Sequence, residues 1–248
     1  MTPRVDVVIL TWNDGRLLDA AVASALGSVG VEVAVVVVDN GSEVPAVVAD
    51  DERVVVLRNS HNRGVAAGRN QGVAVGVAPY VCFLDSDARL APDCLAALVG
   101  AIADDPRAAL TAPVFAGQPP EASAGVAPSL ALKAARALSL RETYHPVRGE
   151  GPSWDVDFAI GACQLVRREA LEAVGGLDES YFYGPEDVDV CLRLRRAGWR
   201  VVQVASASCE HPPRRRFRRL LTRRGAQHAW AVGRHLWRHR SFDGRAAA

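Results

Sequence analysis

Short uncharged runs recur along the first half of the chain. Each ends at polar side chains, and the stretches between them repeat apolar residues at helical spacing. Val5 to Leu10, with Asp6 as its one charge, reads as a buried strand closing at Thr11-Trp12-Asn13. Leu17, Leu18, Ala21, Val22 and Ala25 follow as one face of a helix that Asp14 is placed to cap. Val33 to Val38 is a second strand, ending in Asp39-Asn40-Gly41-Ser42. Val54 to Leu57 is a third, followed by the loop Asn59 to Gly64. A small-residue helix over Gly64 to Gly76 leads to a fourth strand, Tyr80 to Leu84. Strands alternating with helices predict βαβ units and a largely parallel sheet.

Beyond this the pattern predicts a helix near Pro92–Ala103 and a strand near Leu110–Phe115. A long irregular insert rich in Ala, Gly, Ser and Pro follows over 116–153, with a short helix at Ala131 to Leu140. Inserts of that length in α/β domains are more often functional loops than filler. Order resumes with one strand over Trp154–Arg168, a helix from Glu169 to Val174 and the turn Gly175-Gly176-Leu177-Asp178-Glu179. Gly184-Pro185-Glu186-Asp187 opens another helix, with carboxylates where the helix dipole favours them, and Gly198 ends it. Val201 to Val204 is a last strand, leading to Cys209-Glu210-His211.

The fourth strand stops at Asp85-Ser86-Asp87. Carboxylates are costly to bury unless paired or metal-bound, and strand ends in open α/β sheets border the ligand crevice. Asp-x-Asp is therefore a candidate cradle for Mg²⁺ or Mn²⁺, which take oxygen ligands. The competing reading is a solvated turn ahead of the helix that Ala91-Pro92-Asp93 begins. Asn13, Asp39 and Asp85/Asp87 all end strands, and Asn59 and Asn62 follow the third. In a parallel sheet these groups share one edge, which marks a ligand site more strongly than any of them alone.

Composition narrows the class. At 248 residues with 49% hydrophobic content the chain can bury one large α/β core or two small ones. Val7 to Thr11 is too short for the apolar part of a secretory leader. Five cysteines, with no Cys-x-x-Cys pair, argue against a disulfide framework or zinc site and for a reducing cytoplasm. The net charge of +1 hides an asymmetry: from Pro212 onward stand 11 Arg and one Asp, so the tail carries +10 and residues 1–211 carry −9. Phe217, Leu220, Leu221, Trp230 and Trp237 lie among those arginines. A basic, partly amphipathic tail suits an anionic membrane surface or a lipid-diphosphate acceptor, and equally a helix packed on the domain. The acidic body argues against nucleic acid.

Eight short motifs now stand in order: Thr11-Trp12-Asn13; Val38-Asp39-Asn40-Gly41-Ser42; Asn62-Arg63-Gly64 through Arg69-Asn70-Gln71-Gly72; Leu84-Asp85-Ser86-Asp87; Gly161-Ala162-Cys163 through Arg167; Gly175-Gly176-Leu177-Asp178-Glu179; Glu186-Asp187-Val188-Asp189 with Arg193 and Gly198; and His211. In this the chain resembles the inverting family-2 glycosyltransferases of the GT-A fold, nearest their bacterial rhamnosyltransferase-like members. The resemblance implies a GT-A domain over 1–211, with a donor-binding half (about 1–115) and an acceptor-binding half (116–211); the basic, partly amphipathic residues 212–248 read as a separate helical tail. It implies sugar transfer from a nucleotide-diphosphate sugar to the hydroxyl of a glycan, a lipid-linked sugar or a small-molecule glycoside. Thr11, Asn13 and Asp39 would surround the base, where a carboxylate can accept the imide N–H of uracil or thymine. Asn62 belongs to the same donor-binding set, and Arg69 would add a cation near base and diphosphate. Asp87 would bind the metal directly, Asp85 through ribose or water, and His211 would complete the coordination. Asp187 would be the general base, with a swap of roles with Glu186 left open. Gly184-Pro185 departs from the family, where an aromatic is frequent. Nucleotidyl transfer to a sugar phosphate and a non-catalytic nucleotide- or sugar-binding module are the alternatives. The first expects a Gly-rich basic loop after the first strand, which Thr11-Trp12-Asn13-Asp14-Gly15 lacks; the intact Asp85, Asp87, Asp187 and His211 speak against the second.

Overall fold

The computed structural model describes residues 2–125 and 151–212. The expected helix at 131–140 and the tail beyond Pro212 lie outside them. In chain order the strands are β1 (Arg4–Thr11), β2 (Glu32–Asp39), β3 (Val54–Arg58), β4 (Tyr80–Asp85), β5 (Arg89–Leu90), β6 (Ala108–Phe115), β7 (Ala124–Gly125), β8 (Ser153–Asp155), β9 (Phe158–Ala159), β10 (Cys163–Arg167) and β11 (Arg200–Glu210). The helices are α1 (Arg16–Leu26), α2 (Val65–Val75), α3 (Cys94–Asp104), α4 (Arg168–Ala173) and α5 (Glu186–Arg196).

Among the described residues one sheet runs β3-β2-β1-β4-β10-β6-β11-β5, with β8 on β11. Strands β1 to β4 are mutually parallel, β10 runs antiparallel between β4 and β6, and β11 is parallel to β6. The central runs are apolar on both faces because both faces are covered. Val5, Val7 and Ile9 of β1 pack with α1 and α3, and Val8 packs on the other side with residues of α2, α4 and α5. Helix α2 lies unusually close to the sheet. A Cβ on Gly68 would fall 2.4 Å from a Leu10 methyl, and one on Gly72 equally near Val8. That approach carries Arg69, on the same helix, under the strand ends.

Three expectations need correction. The single strand over 154–168 is divided into β8, β9 and β10, because its pieces pair with different strands: β8 with β11, β9 with β7, and β10 with β4 and β6. The last strand is far longer than Val201–Val204. A register shift against β6 between Val204 and Ser208 lets β11 run on past the weak strand formers Ala205 to Ser208. Asp14 does not cap α1, whose N-cap is Gly15 at φ 53°; its carboxylate is taken up by Thr11, Trp12 and Ser86. All five cysteines are buried free thiols.

Candidate active site

Register brings the polar strand ends together. Thr11 pairs with Asp39, Leu10 with Asp85, and Asp39 with Arg58, so the expected convergence at one sheet edge is present. Asp39 is 1% exposed and already engaged: Oδ1 accepts from Ser42 N and Oδ2 from Ala46 N, with Arg58 at 3.6 Å. Burial pushes its carboxyl up, but bonds from Ser42 and Ala46 with the Arg58 charge outweigh that and leave its pKa below the ordinary value. Asn13, at φ 62°, receives Glu43 N on its side-chain oxygen. Asn62 accepts from Gly64 N and Asn40 Nδ2 and so shapes its own loop.

Two short pairings assemble the acidic cluster. The two-residue β5, which the hydrophobic pattern does not reveal, pairs Arg89 with Glu210 and Leu90 with Cys209. One further step along that register sets His211 beside Ala88, next to Asp87. His211 Nε2 lies 3.6 Å from Asp87 Oδ1. Its ring packs 5.0 Å from Phe115, and its carbonyl accepts from Gln118 Nε2 at 2.7 Å. Asp85, Asp87 and His211 each offer one ligand atom, all within 4.8 Å of one another. Two carboxylates and an imidazole at that spacing fit a six-coordinate divalent cation that keeps positions for other oxygens.

Arg69 lies deeper than expected. Only 2% exposed, its Nη2 donates to Asp85 Oδ1 at 2.6 Å and to Gly161 O at 2.7 Å; Nη1 is 3.6 Å from Glu186, and the guanidinium sits over Phe83. It forms the floor between the acidic turn and α5. Although 39% of the Asp85 side chain reaches the cleft, protein crowds the carboxyl elsewhere. That desolvation raises its pKa, with Asp87 adding and Arg69 and His211 opposing.

Glu186 and Asp187 open α5 with different surroundings. Glu186 is buried, its Oε2 has no hydrogen-bond partner, and burial together with the Asp187 charge pushes its pKa up to about 7 against the pull of Arg69. Asp187 is only partly buried and is aimed by backbone donors: Gly161 N reaches Oδ2 at 3.0 Å and Val188 N reaches Oδ1 at 2.8 Å. A Cβ on Gly161 would come within 2.7 Å of Arg69 Nη1 and 3.3 Å of the Asp187 Cβ. Supporting residues not singled out from the sequence are Asn40, which ties Asn59, Asn62, Arg63 and Gly64 together, and Gln118. Asn40 stood within a motif; nothing in the sequence marked Gln118.

The sequence profile of "Glycosyl transferase family 2" matches residues 6–175. The chain belongs to that family. A pre-mycofactocin glycosyltransferase of Mycobacterium tuberculosis (strain ATCC 25618 / H37Rv) is 36% identical over 229 residues, which cover 89% of this chain and 45% of the relative. The chain thus spans less than half the length of that protein. An N-acetylglucosaminyl-diphospho-decaprenol L-rhamnosyltransferase of the same strain is 31% identical over 237 residues, covering 85% of this chain and 76% of the relative. Among solved structures, the mannosyltransferase PcManGT of Pyrobaculum calidifontis, in complex with GDP-Man and Mn²⁺, superposes with a TM-score of 0.67 at 20% identity, covering 99% of this chain and 66% of that one. GalNAc-T7, with UDP, GalNAc and Mn²⁺, does so at 0.64 and 18%, covering 85% and 44%. At these identities the likeness establishes the fold, which is GT-A.

Proposed function

We propose that this family-2 glycosyltransferase is metal-dependent and inverting, and that it moves a sugar from a UDP- or dTDP-linked donor to an acceptor hydroxyl. The carrying observation is the pairing of two carboxylate groups of different character: the Asp85/Asp87/His211 cluster, and Asp187 held by backbone donors across the Arg69 floor.

Asp87 and His211 would hold Mg²⁺ or Mn²⁺, with Asp85 contributing directly or through water or ribose. When bound, the cation would supply Lewis-acid stabilisation of the negative charge that grows on the departing diphosphate. Thr11, Asn13, Asp39 and Asn62 form the nucleoside wall, and Arg69 supports it from below. Asp187 accepts the proton of the acceptor hydroxyl as that oxygen bonds to the anomeric carbon and the carbon–diphosphate bond breaks. The products are an inverted glycoside and a nucleoside diphosphate. Glu186 suits the base role less well, since it is buried against Arg69, whereas Asp187 is only partly buried and is held by two backbone donors.

In this reading residues 1–115 serve the donor and 116–211 the acceptor, which is a glycan, a lipid-linked sugar or a small-molecule glycoside. The rhamnosyltransferase relative is named for a diphospho-decaprenol-linked sugar. Together with the +10 balance beyond Pro212, that favours work beside the anionic inner face of a membrane, from the cytoplasmic side. No described helix is long and apolar enough to cross a membrane. A screen of nucleotide sugars with and without Mn²⁺, read by nucleoside-diphosphate release and by NMR of the product's anomeric centre, tests the proposal. Release from UDP- or dTDP-sugars with an inverted product supports it; a retained configuration contradicts it.

A further inference from the structure

The residue between the two cluster aspartates has a long-range partner. Ser86 Oγ donates to Asp14 Oδ2 at 2.5 Å across 72 positions of sequence. The same oxygen accepts from Thr11 Oγ1 at 3.3 Å and Trp12 N at 3.2 Å. The end of β1 and the middle of the acidic turn therefore share one carboxylate oxygen. The two local bonds lie within the loop after β1, whereas the bond to Ser86 ties that loop to the turn after β4.

Asp85 and Asp87 are joined through the Ser86 backbone, so the φ and ψ of Ser86 set the offset between their carboxylates. Asp85 is held below by Arg69 and through its own N–H by Ala162 O, and Ala88 N closes the turn on Asp85 O. The buried hydroxyl of Ser86 is thus a point at which this turn is tied to the neighbouring strand end. We infer that Asp14 is a positioning residue: through Ser86 it sets Asp85 and Asp87 at the separation a divalent cation needs. Thr11 hangs on the same oxygen, so the nucleoside wall and the cation cradle are placed by one group. The inference rests on the reading of Asp85-Ser86-Asp87 as the cation-holding turn.

The test is an EPR titration of Mn²⁺ alone into wild type, Ser86→Ala, Asp14→Asn, the double variant and Asp87→Ala, with unfolding of each measured without metal. Residues that support metal ligands cost about 10–100-fold in affinity when lost. Ser86→Ala should weaken Mn²⁺ by about tenfold, the lower end of that range, and Asp14→Asn, whose neutral amide oxygen accepts a weaker bond from Ser86, should weaken it by less. The double variant should be no weaker than Ser86→Ala, because without that hydroxyl residue 14 has no bond through which to act on the turn. Asp87→Ala should abolish binding. If Ser86→Ala binds Mn²⁺ as wild type does while Asp87→Ala has lost it, the positioning role is wrong and the cation reading stands. Multiplying effects in the double variant also overturn it, since the two residues would then act separately. Unchanged binding by Asp87→Ala overturns the cation reading and this inference with it. Should Asp14→Asn fail to fold, Ser86→Ala decides alone.

Discussion

Arg69 Nη2 lies 2.6 Å from Asp85 Oδ1, so a buried guanidinium supports a carboxylate that faces the cleft. The same side chain faces Glu186 and holds the Gly161 carbonyl. One guanidinium therefore serves both the acidic turn and the helix whose first turn carries the proposed base Asp187. Arg69→Met should destabilise the fold, since removing one partner of a buried pair costs about 3–5 kcal/mol. The loss should fall at the low end, because Asp85 keeps its contact with solvent. Urea unfolding of the variant checks this; an unchanged midpoint would show that Arg69 is not the common support.

Glu186 makes stability depend on pH in a definite direction. Its folded pKa of about 7 lies above the ordinary 4.5, so the folded state holds the proton more tightly than the unfolded state. Its contribution is complete below pH 4.5 and is lost as pH rises through 7. Glu186→Gln should therefore gain stability relative to wild type at pH 8 and change little at pH 5. Equal shifts at both pH values would contradict the assignment.

Gly161→Ala should impair turnover more than folding. The added Cβ meets Arg69 Nη1 at 2.7 Å and the Asp187 Cβ at 3.3 Å, so either the floor or the base must move. Misplacement on the ångström scale costs about 100-fold in favourable cases. We expect a fall in kcat with a near-native thermal transition. Unchanged kcat would mean that the Asp187 position is not critical.

Asp187→Asn keeps shape and removes basicity. Transfer should fall by about 10²–10⁴-fold, the usual contribution of a general base, while donor binding measured by calorimetry persists. Loss of donor binding instead would make Asp187 a binding residue. Retained transfer by this variant, with loss in Glu186→Gln, would assign the base role to its neighbour.

Much of this layout is legible in the chain itself. The apolar runs of β1 to β4, each closing on Asn, Asp or a polar loop, are enough to predict a shared polar edge once the strands are parallel, and Thr11, Asp39 and Asp85 do meet there. What stays hidden depends on distant partners. The two residues of β5 are too few to show a period, yet their pairing with Cys209 and Glu210 delivers His211 to Asp87. The break in the strand expected over 154–168 arises because its pieces find different distant partners, β8 on β11, β9 on β7 and β10 between β4 and β6. Asp14 looks like a helix cap because its local sequence suits one, and only the fold reveals Ser86 as its partner.

The central claim is that the Asp85/Asp87/His211 cluster holds a cation needed for transfer, and EDTA treatment followed by Mn²⁺ addition tests it most directly. With an accepted nucleotide sugar, nucleoside-diphosphate release by wild type should stop in EDTA and return with Mn²⁺, while Asp87→Ala, folded as judged by circular dichroism, should stay inactive at every Mn²⁺ concentration. Full wild-type turnover in EDTA, or wild-type rates in Asp87→Ala, would contradict the account.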